Sequence, residues 1–372
     1  MQLSTERILT THTGSLPRPP GLPLDPSERD AAQLADAVRS VVTSQIDAGV
    51  DVVNDGEASK VGYSTYVTER LTGFGGEGRP IRPKDYDDFP AWGHRMMSER
   101  ARSRRLTNPA CVGPVSYRDT SLVETDIANL RQATAGQDVT EVFMSAASPG
   151  VIALFHADRH YGSDEDYIAA LADAMKTEYD AIHAAGLVLQ LDCPDLAMGW
   201  NVAGIGNTPE GFLAAVTTRV EAINHATRDI PPEAMRLHLC WGNYEGPHTS
   251  DIPLREIIGE VLKARPAAIS FEGANPRHEH EWNVFEDVTL PDGKAIVPGV
   301  IDSTTNYVEH PELVAQRIER YAGLVGRENV LAGSDCGFAT FATSAVVDPQ
   351  VTWAKLAAMA AGARLASQAL WA

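Results

Sequence analysis

Apolar positions along this chain recur at two spacings, and the two alternate. Leu34, Val38, Val41, Val42 and Ile46 keep the three-and-four spacing of a helix with one buried face. Gly49 closes that helix, and Val50-Asp51-Val52-Val53 follows as a short buried-type strand running into Asn54-Asp55-Gly56-Glu57. The unit returns further on. Ser163 is placed to cap a helix carrying Ile168, Leu171, Met175, Tyr179 and Ile182; Gly186 ends it, and the strand 187–191 delivers Asp192. Pro311 opens another helix, with Leu313, Val314, Ile318 and Tyr321 on one face, before residues 329–332 run into Ser334-Asp335-Cys336.

Strands are expected near residues 8–11, 50–54, 110–116, 141–145, 187–191, 235–240, 267–271, 296–301 and 329–333. Strands that alternate with helices form a parallel sheet. A doubly wound sheet fits that alternation, but a closed (β/α)8 TIM barrel is preferred, because polar residues follow nearly every strand and barrel active sites are built there. A barrel takes eight strands, so 110–116 is assigned to an excursion. Residues 70–110 break the pattern: they are rich in Gly, Pro, Arg and Asp and read as a long loop or lid over the site. The excursion is placed at 70–118, within a single domain spanning 1–372.

Composition narrows the function classes. A chain of 372 residues with 44% hydrophobic content can bury a sizeable core, and a net charge of −19 argues against nucleic acid or an anionic membrane as partner. The first residues show no basic segment followed by an apolar run, and no apolar stretch is long enough to span a bilayer, so the cytoplasm is the expected location. Cys111, Cys193, Cys240 and Cys336 are widely spaced and read as free thiols or metal ligands. Gly73 to Gly78 lacks the flanking strand and helix of a phosphate cradle, so no nucleotide cofactor is expected.

Three strand ends carry the candidate chemistry: Arg236-Leu237-His238-Leu239-Cys240, Ile269-Ser270-Phe271-Glu272 and Gly333-Ser334-Asp335-Cys336. On a strand, His238 and Cys240 point the same way. A structural histidine beside a core cysteine gives the same pair, and a free cysteine such as Cys336 is commonly a small buried hydrophobe. Glu272 is different, because a carboxylate straight after an apolar strand needs a cation or hydrogen bonds to receive it. Imidazole, carboxylate and two thiolates together make a four-ligand set for Zn2+. Two thiolate ligands suit activation of a substrate thiol, whereas hydrolytic zinc sites are richer in histidine and carboxylate. The expected activity is therefore zinc-dependent thiol S-alkyl transfer. A small thiol and a small alkyl donor are the expected partners, and a homo-oligomer is left open. The neighbouring run His278-Glu279-His280-Glu281 is given a capping, supporting or substrate role.

These residues resemble the catalytic C-terminal barrel of cobalamin-independent methionine synthase. In that family a His-x-Cys pair, a Glu after the following strand and the Cys of Asp-Cys-Gly bind zinc, which here implies His238, Cys240, Glu272 and Cys336. Gly14-Ser15-Leu16-Pro17 is similar to the family's turn that contacts the amino-acid thiol, Gly56-Glu57 to its Gly-Glu, and Gln190-Leu191-Asp192-Cys193-Pro194 to its Gln-Ile-Asp-x-Pro. The resemblance implies that Glu57 and Asp192 hold the ammonium group of homocysteine, with His12, Gly14 and Ser15 also at the substrate. Two features depart from it. The long enzyme's extra N-terminal barrel has no counterpart, and Ser303, Thr304 and Thr305 follow Gly299-Val300-Ile301-Asp302 where the family carries a catalytic histidine. A short branch of the superfamily, the epoxyalkane–coenzyme M transferases, is similar over residues 11–18, 238–242, 246–248 and 271–278. That likeness implies epoxide opening by coenzyme M, with Arg277 or Arg18 pairing with its sulfonate. Methyl transfer to homocysteine is the first expectation and epoxide opening the second. A zinc- or thiol-sensing barrel without transfer activity is the third.

Overall fold

The computed structural model describes residues 1–23, 28–78, 80–102, 108–202, 205–206, 208–341 and 346–372. Its strands in chain order are β1 (Val52–Val53), β2 (Phe74–Gly75), β3 (Ala110–Cys111), β4 (Glu141–Ala147), β5 (Val188–Asp192), β6 (Met235–Leu239), β7 (Ala268–Phe271), β8 (Ala295–Ile301) and β9 (Gly333–Ser334). Strands β1, β4, β5, β6, β7, β8 and β9 form one parallel sheet in that order, with helices between them. The two ends of this sheet meet through residues 9–11. Thr10 bridges Ala332 in parallel, the Thr11 amide donates to the Ala332 carbonyl (2.9 Å), and the Ala332 amide donates to Leu9 (2.8 Å). On the other side the amides of Asp51 and Val52 both reach the Thr10 carbonyl, at 3.1 and 3.0 Å. The sheet is closed into the α/β barrel that the alternation predicts.

Local chemistry explains the helices. Ala31–Asp47 starts on the Asp30 side chain, and Asp164–Ala184 starts on Ser163, whose hydroxyl accepts from the Asp166 amide at 3.1 Å. Pro311–Val325 carries its proline in the first turn, where no amide is missed. Leu189, Leu191, Leu237, Leu239, Ile269 and Phe271 point outward from the strands into one continuous core against the helices. The alternate positions face the barrel interior, and several are polar. There Arg236 donates to Gln190 Oε1, Thr11 Oγ1 and the His12 carbonyl at 2.7 to 2.8 Å, beneath the Phe143 ring.

Two expectations change. The candidate strand at 110–116 shrinks to Ala110–Cys111 and pairs antiparallel with Phe74–Gly75, apart from the barrel sheet. The stretch read as a long loop contains the helices Asp85–Asp88 and Pro90–Arg102. Within Pro90–Arg102 the pairs Trp92/Met96 and Met97/Ala101 keep helical spacing, but arginines and polar residues dominate the segment and its surroundings are rich in Gly and Pro. Among the described residues no helix is long and apolar enough to cross a membrane.

Candidate functional site

The register of the barrel brings the polar strand ends together. Asp192 lies opposite His238 in the β5–β6 pairing, and His238 lies opposite Ser270 in the β6–β7 pairing. His238, Cys240 and Cys336, all buried, offer ligand-type atoms within 4.8 Å of one another. His238 Nδ1 stands 3.2 Å from Ser270 Oγ, while its Nε2 is buried with no hydrogen-bond partner. Burial, helped by the charge of Arg236, lowers the His238 pKa to about 4, so the ring is neutral and carries a free lone pair. The Cys336 thiol is pushed well above its ordinary pKa, first by its hydrogen bond with Cys240 and then by burial. Imidazole nitrogen with two facing sulfurs is a donor set for a soft or borderline cation, and an orphaned buried nitrogen is what such an ion would satisfy.

Glu272 is buried beside this trio and is not one of the three that converge. Its Oε1 accepts from the Trp241 amide and its Oε2 from Asn275 Nδ2, both at 2.8 Å. Burial raises its pKa to about 7, with His278 opposing that shift and Cys240 adding to it. Asp335, which precedes Cys336, accepts from the amides of Gly273, Ala274 and Asn275 at 2.8 Å each and so shapes the loop behind Glu272. This contact is possible because β8 has glycine at 299, where a Cβ would stand 1.9 Å from Asp335 Oδ1.

A cavity of about 610 Å³ opens over the trio. Thr13, Ser15, Glu57, Asp192, His238, Cys240 and Cys336 form its polar floor, and Val61, Tyr63, Ile81, Tyr86, Phe155 and Phe341 are among the apolar walls. Glu57 sits in left-handed backbone at φ 57° and accepts from Ser145 Oγ at 2.6 Å. Gly14 lies behind it, where a Cβ would come within 2.9 Å of Glu57 Oε1. Asp192 accepts from Gln190 Nε2 at 2.7 Å, and burial together with the charge of Glu57 raises its pKa to about 7. The buried Lys60 partly offsets that repulsion at Asp192, and a bound cation would offset it further.

The other expected residues lie elsewhere. His12 is turned below the floor, with Nε2 2.8 Å from Gln45 Oε1 and its ring against Phe143, and it does not line the cavity. Arg277 is exposed and donates to the His248 carbonyl at 3.0 Å, and Arg18 donates to the Ala58 carbonyl at 2.8 Å. Ser303, where the family histidine would follow, donates to Asn243 Oδ1 at 3.0 Å, and Asn243 in turn holds the Gly337 carbonyl at 2.6 Å. Sequence reasoning passed over Ser270, Asn243, Tyr63 and Asp335. Ser270 was readable, since its alternation with Glu272 on one strand puts both on the inner face.

The family described as "Cobalamin-independent synthase, Catalytic domain" matches residues 95–361. A methionine synthase of Saccharolobus solfataricus is 23% identical over 373 residues, spanning 97% of this chain and 95% of its own length. The 2-hydroxypropyl-CoM lyase of Xanthobacter autotrophicus is 24% identical and spans 82% of this chain and 79% of its own. A solved B12-independent methionine synthase from Shewanella sp. W3-18-1, in complex with selenomethionine, shares the fold with a TM-score of 0.76 at 22% identity, covering 98% of this chain and 99% of its own.

Proposed function

We propose, from the premise that this chain belongs to the cobalamin-independent synthase catalytic-domain family, that it is a zinc-dependent S-alkyltransferase moving a methyl group onto homocysteine or a related small thiol. The observation that carries this reading is the orphaned His238 Nε2 beside the Cys240 and Cys336 thiols. His238, Cys240 and Cys336 would hold the ion, with Glu272 as a fourth, carboxylate donor. Zinc bound there supplies Lewis acidity that lets an incoming thiol react as thiolate at neutral pH.

The chain's own residues do the rest. Ser270 orients the His238 ring so that Nε2 faces inward. Glu57 and Asp192 receive the substrate ammonium, which relieves the repulsion that raises the Asp192 pKa. The excursion at 70–118 acts as a lid: Ile81, Arg82, Pro83 and Tyr86 wall the cavity and keep water from the reacting sulfur. The sulfur–carbon bond forms as the bond from carbon to the donor's leaving atom breaks. One domain holds all of these parts.

Epoxide opening by coenzyme M is the second reading, favoured by the lyase relative. The floor suits it less well. Among the described lining residues the one arginine, Arg82, is paired with Asp87 at 2.6 Å, which leaves a sulfonate without an evident cation. Titrating the cobalt(II)-substituted protein with each thiol tests both readings. Saturable change in the sulfur-to-cobalt bands with homocysteine supports the first, and tighter binding of coenzyme M supports the second. No change with either thiol favours a non-catalytic sensing barrel. Glu57→Gln and Asp192→Asn are expected to weaken homocysteine use by roughly a hundredfold and coenzyme M use far less; equal losses sink the assignment of those two acids.

A further inference from the structure

His248, Asp251 and His278 also bring ligand-type atoms within 4.8 Å of one another. Their geometry is that of a hydrogen-bonded chain. His248 Nδ1 lies 2.7 Å from Asp251 Oδ2, whereas two donors on a tetrahedral ion at about 2.1 Å each stand about 3.4 Å apart. Every ring nitrogen also faces an acceptor: His248 Nε2 the Tyr244 carbonyl (3.0 Å), His278 Nδ1 Glu281 Oε2 (2.8 Å), and His278 Nε2 Asp251 Oδ2 (3.3 Å). Both rings are therefore imidazolium donors. Burial opposes the charge on His278, yet Asp251 and Glu281 raise its pKa to about 10.

Asp251 is the hub of this chain, and three structures meet on it. Its second oxygen accepts from Asn201 Nδ2 (2.9 Å), and Asn201 receives the amide of Lys84 on both its side chain (2.8 Å) and its carbonyl (3.1 Å). That contact docks the excursion onto the barrel. His248 docks it again, because its amide and that of Thr249 donate to Asp85 at 3.1 and 3.2 Å, where the Tyr244 hydroxyl also donates at 2.6 Å. His278 stacks on Trp241 with 4.1 Å between ring centroids, and the Trp241 amide holds Glu272. Trp241 directly follows Cys240.

We propose that Asp251 is a positioning residue that ties docking of the excursion to the placement of Trp241 and Glu272, so that the cavity wall and the metal-side loop are set together. Only the kinetic test of this idea rests on the transferase reading. Asp251→Asn keeps the shape and removes the charge. In that variant hydrogen exchange across residues 82–98 is expected to quicken roughly tenfold while exchange in Glu141–Ala147 stays unchanged. Zinc content holds at the wild-type level, the KM for the alkyl donor rises roughly tenfold, and the KM for the thiol moves less than about twofold. Asp251→Glu restores part of the donor KM. Unchanged exchange and donor KM in folded Asp251→Asn overturns the proposal, as does exchange that quickens equally in Glu141–Ala147. Should that variant not fold, Asn201→Ala removes the side-chain contacts to Lys84, Asp251 and Tyr244 while leaving the backbone contact to Lys84, and is expected to quicken exchange over the same segment; no change there overturns the proposal as well. If the wild-type protein transfers no alkyl group, the transferase reading fails by itself and the exchange experiment still decides.

Discussion

Two clusters of metal-ligating side chains sit side by side at the barrel mouth, each with its ligand-type atoms within 4.8 Å. In the first, His238 Nε2 has no partner and the sulfurs of Cys240 and Cys336 have chiefly each other. In the second, both histidines give every N–H to an acceptor, and Asp251 receives donors on both oxygens. The two share closeness and differ in saturation. A cluster whose lone pairs are unspent invites a metal, and one whose nitrogens all carry protons is a piece of architecture.

Removing a ligand from the first cluster should break that contrast most sharply. Cys336→Ala is expected to abolish bound zinc and lower alkyl transfer by roughly a thousandfold, whereas His248→Gln retains zinc, as metal analysis after dialysis would read. Zinc loss from both variants would mean that the clusters share one ion. Ser270→Ala comes next: without the hydroxyl beside Nδ1, zinc affinity should fall roughly 10- to 100-fold in a chelator competition.

The pH dependence separates the clusters in opposite directions. His278 has its folded pKa raised from 6.5 to about 10, so the stability it contributes is fully present below 6.5 and is lost as pH rises through 10. The metal-free His238 has its folded pKa lowered to about 4, so the protein loses stability as pH falls from 6.5 through 4. At about 1.4 kcal/mol per unit of pKa, each effect is on the order of a few kcal/mol. In urea unfolding of the metal-free protein, the stability that wild type holds over His278→Gln should shrink as pH rises from 6.5 toward 10. Arg277→Ala, at the exposed rim of the second cluster, is the smallest change: turnover and stability within about twofold of wild type. A large loss confined to coenzyme M would return Arg277 to the sulfonate role.

Much of the barrel could be read from sequence because its signals are local. The caps at Ser163 and Pro311 and the outward rows Leu189/Leu191 and Leu237/Leu239 are written within a few residues of where they act. The closing segment at residues 9–11 falls inside the strand expected at 8–11, but its partners, Ala332 and residues 51–52, are set by the closed sheet and by no local pattern. At the site, residue types at strand ends pointed to His238, Cys240 and Cys336, whose ligand-type atoms lie within 4.8 Å of one another. They could not tell that His12 turns toward Gln45, because a strand fixes the side a residue faces and leaves its depth open. The links through Asp251 and Asp335 stayed hidden for a related reason. Each carboxylate acts on backbone or rings contributed by other elements, and spacing along one segment carries no trace of them.

Closure of the barrel through its first and last strands also sets an order of events. Thr13 donates to Ser334 Oγ across 321 residues of chain, and Phe338 donates to the Ser15 carbonyl at 2.8 Å, so the floor is stitched from both ends of the polypeptide. During synthesis Ser15 and His238 leave the ribosome well before Ser334 and Cys336 do, and contacts of such span form late in folding. A nascent chain that stops short of residue 336 has His238 and Cys240 but not the second sulfur of the trio. On the zinc reading, capture of the ion by all three residues would wait until residue 336 has emerged.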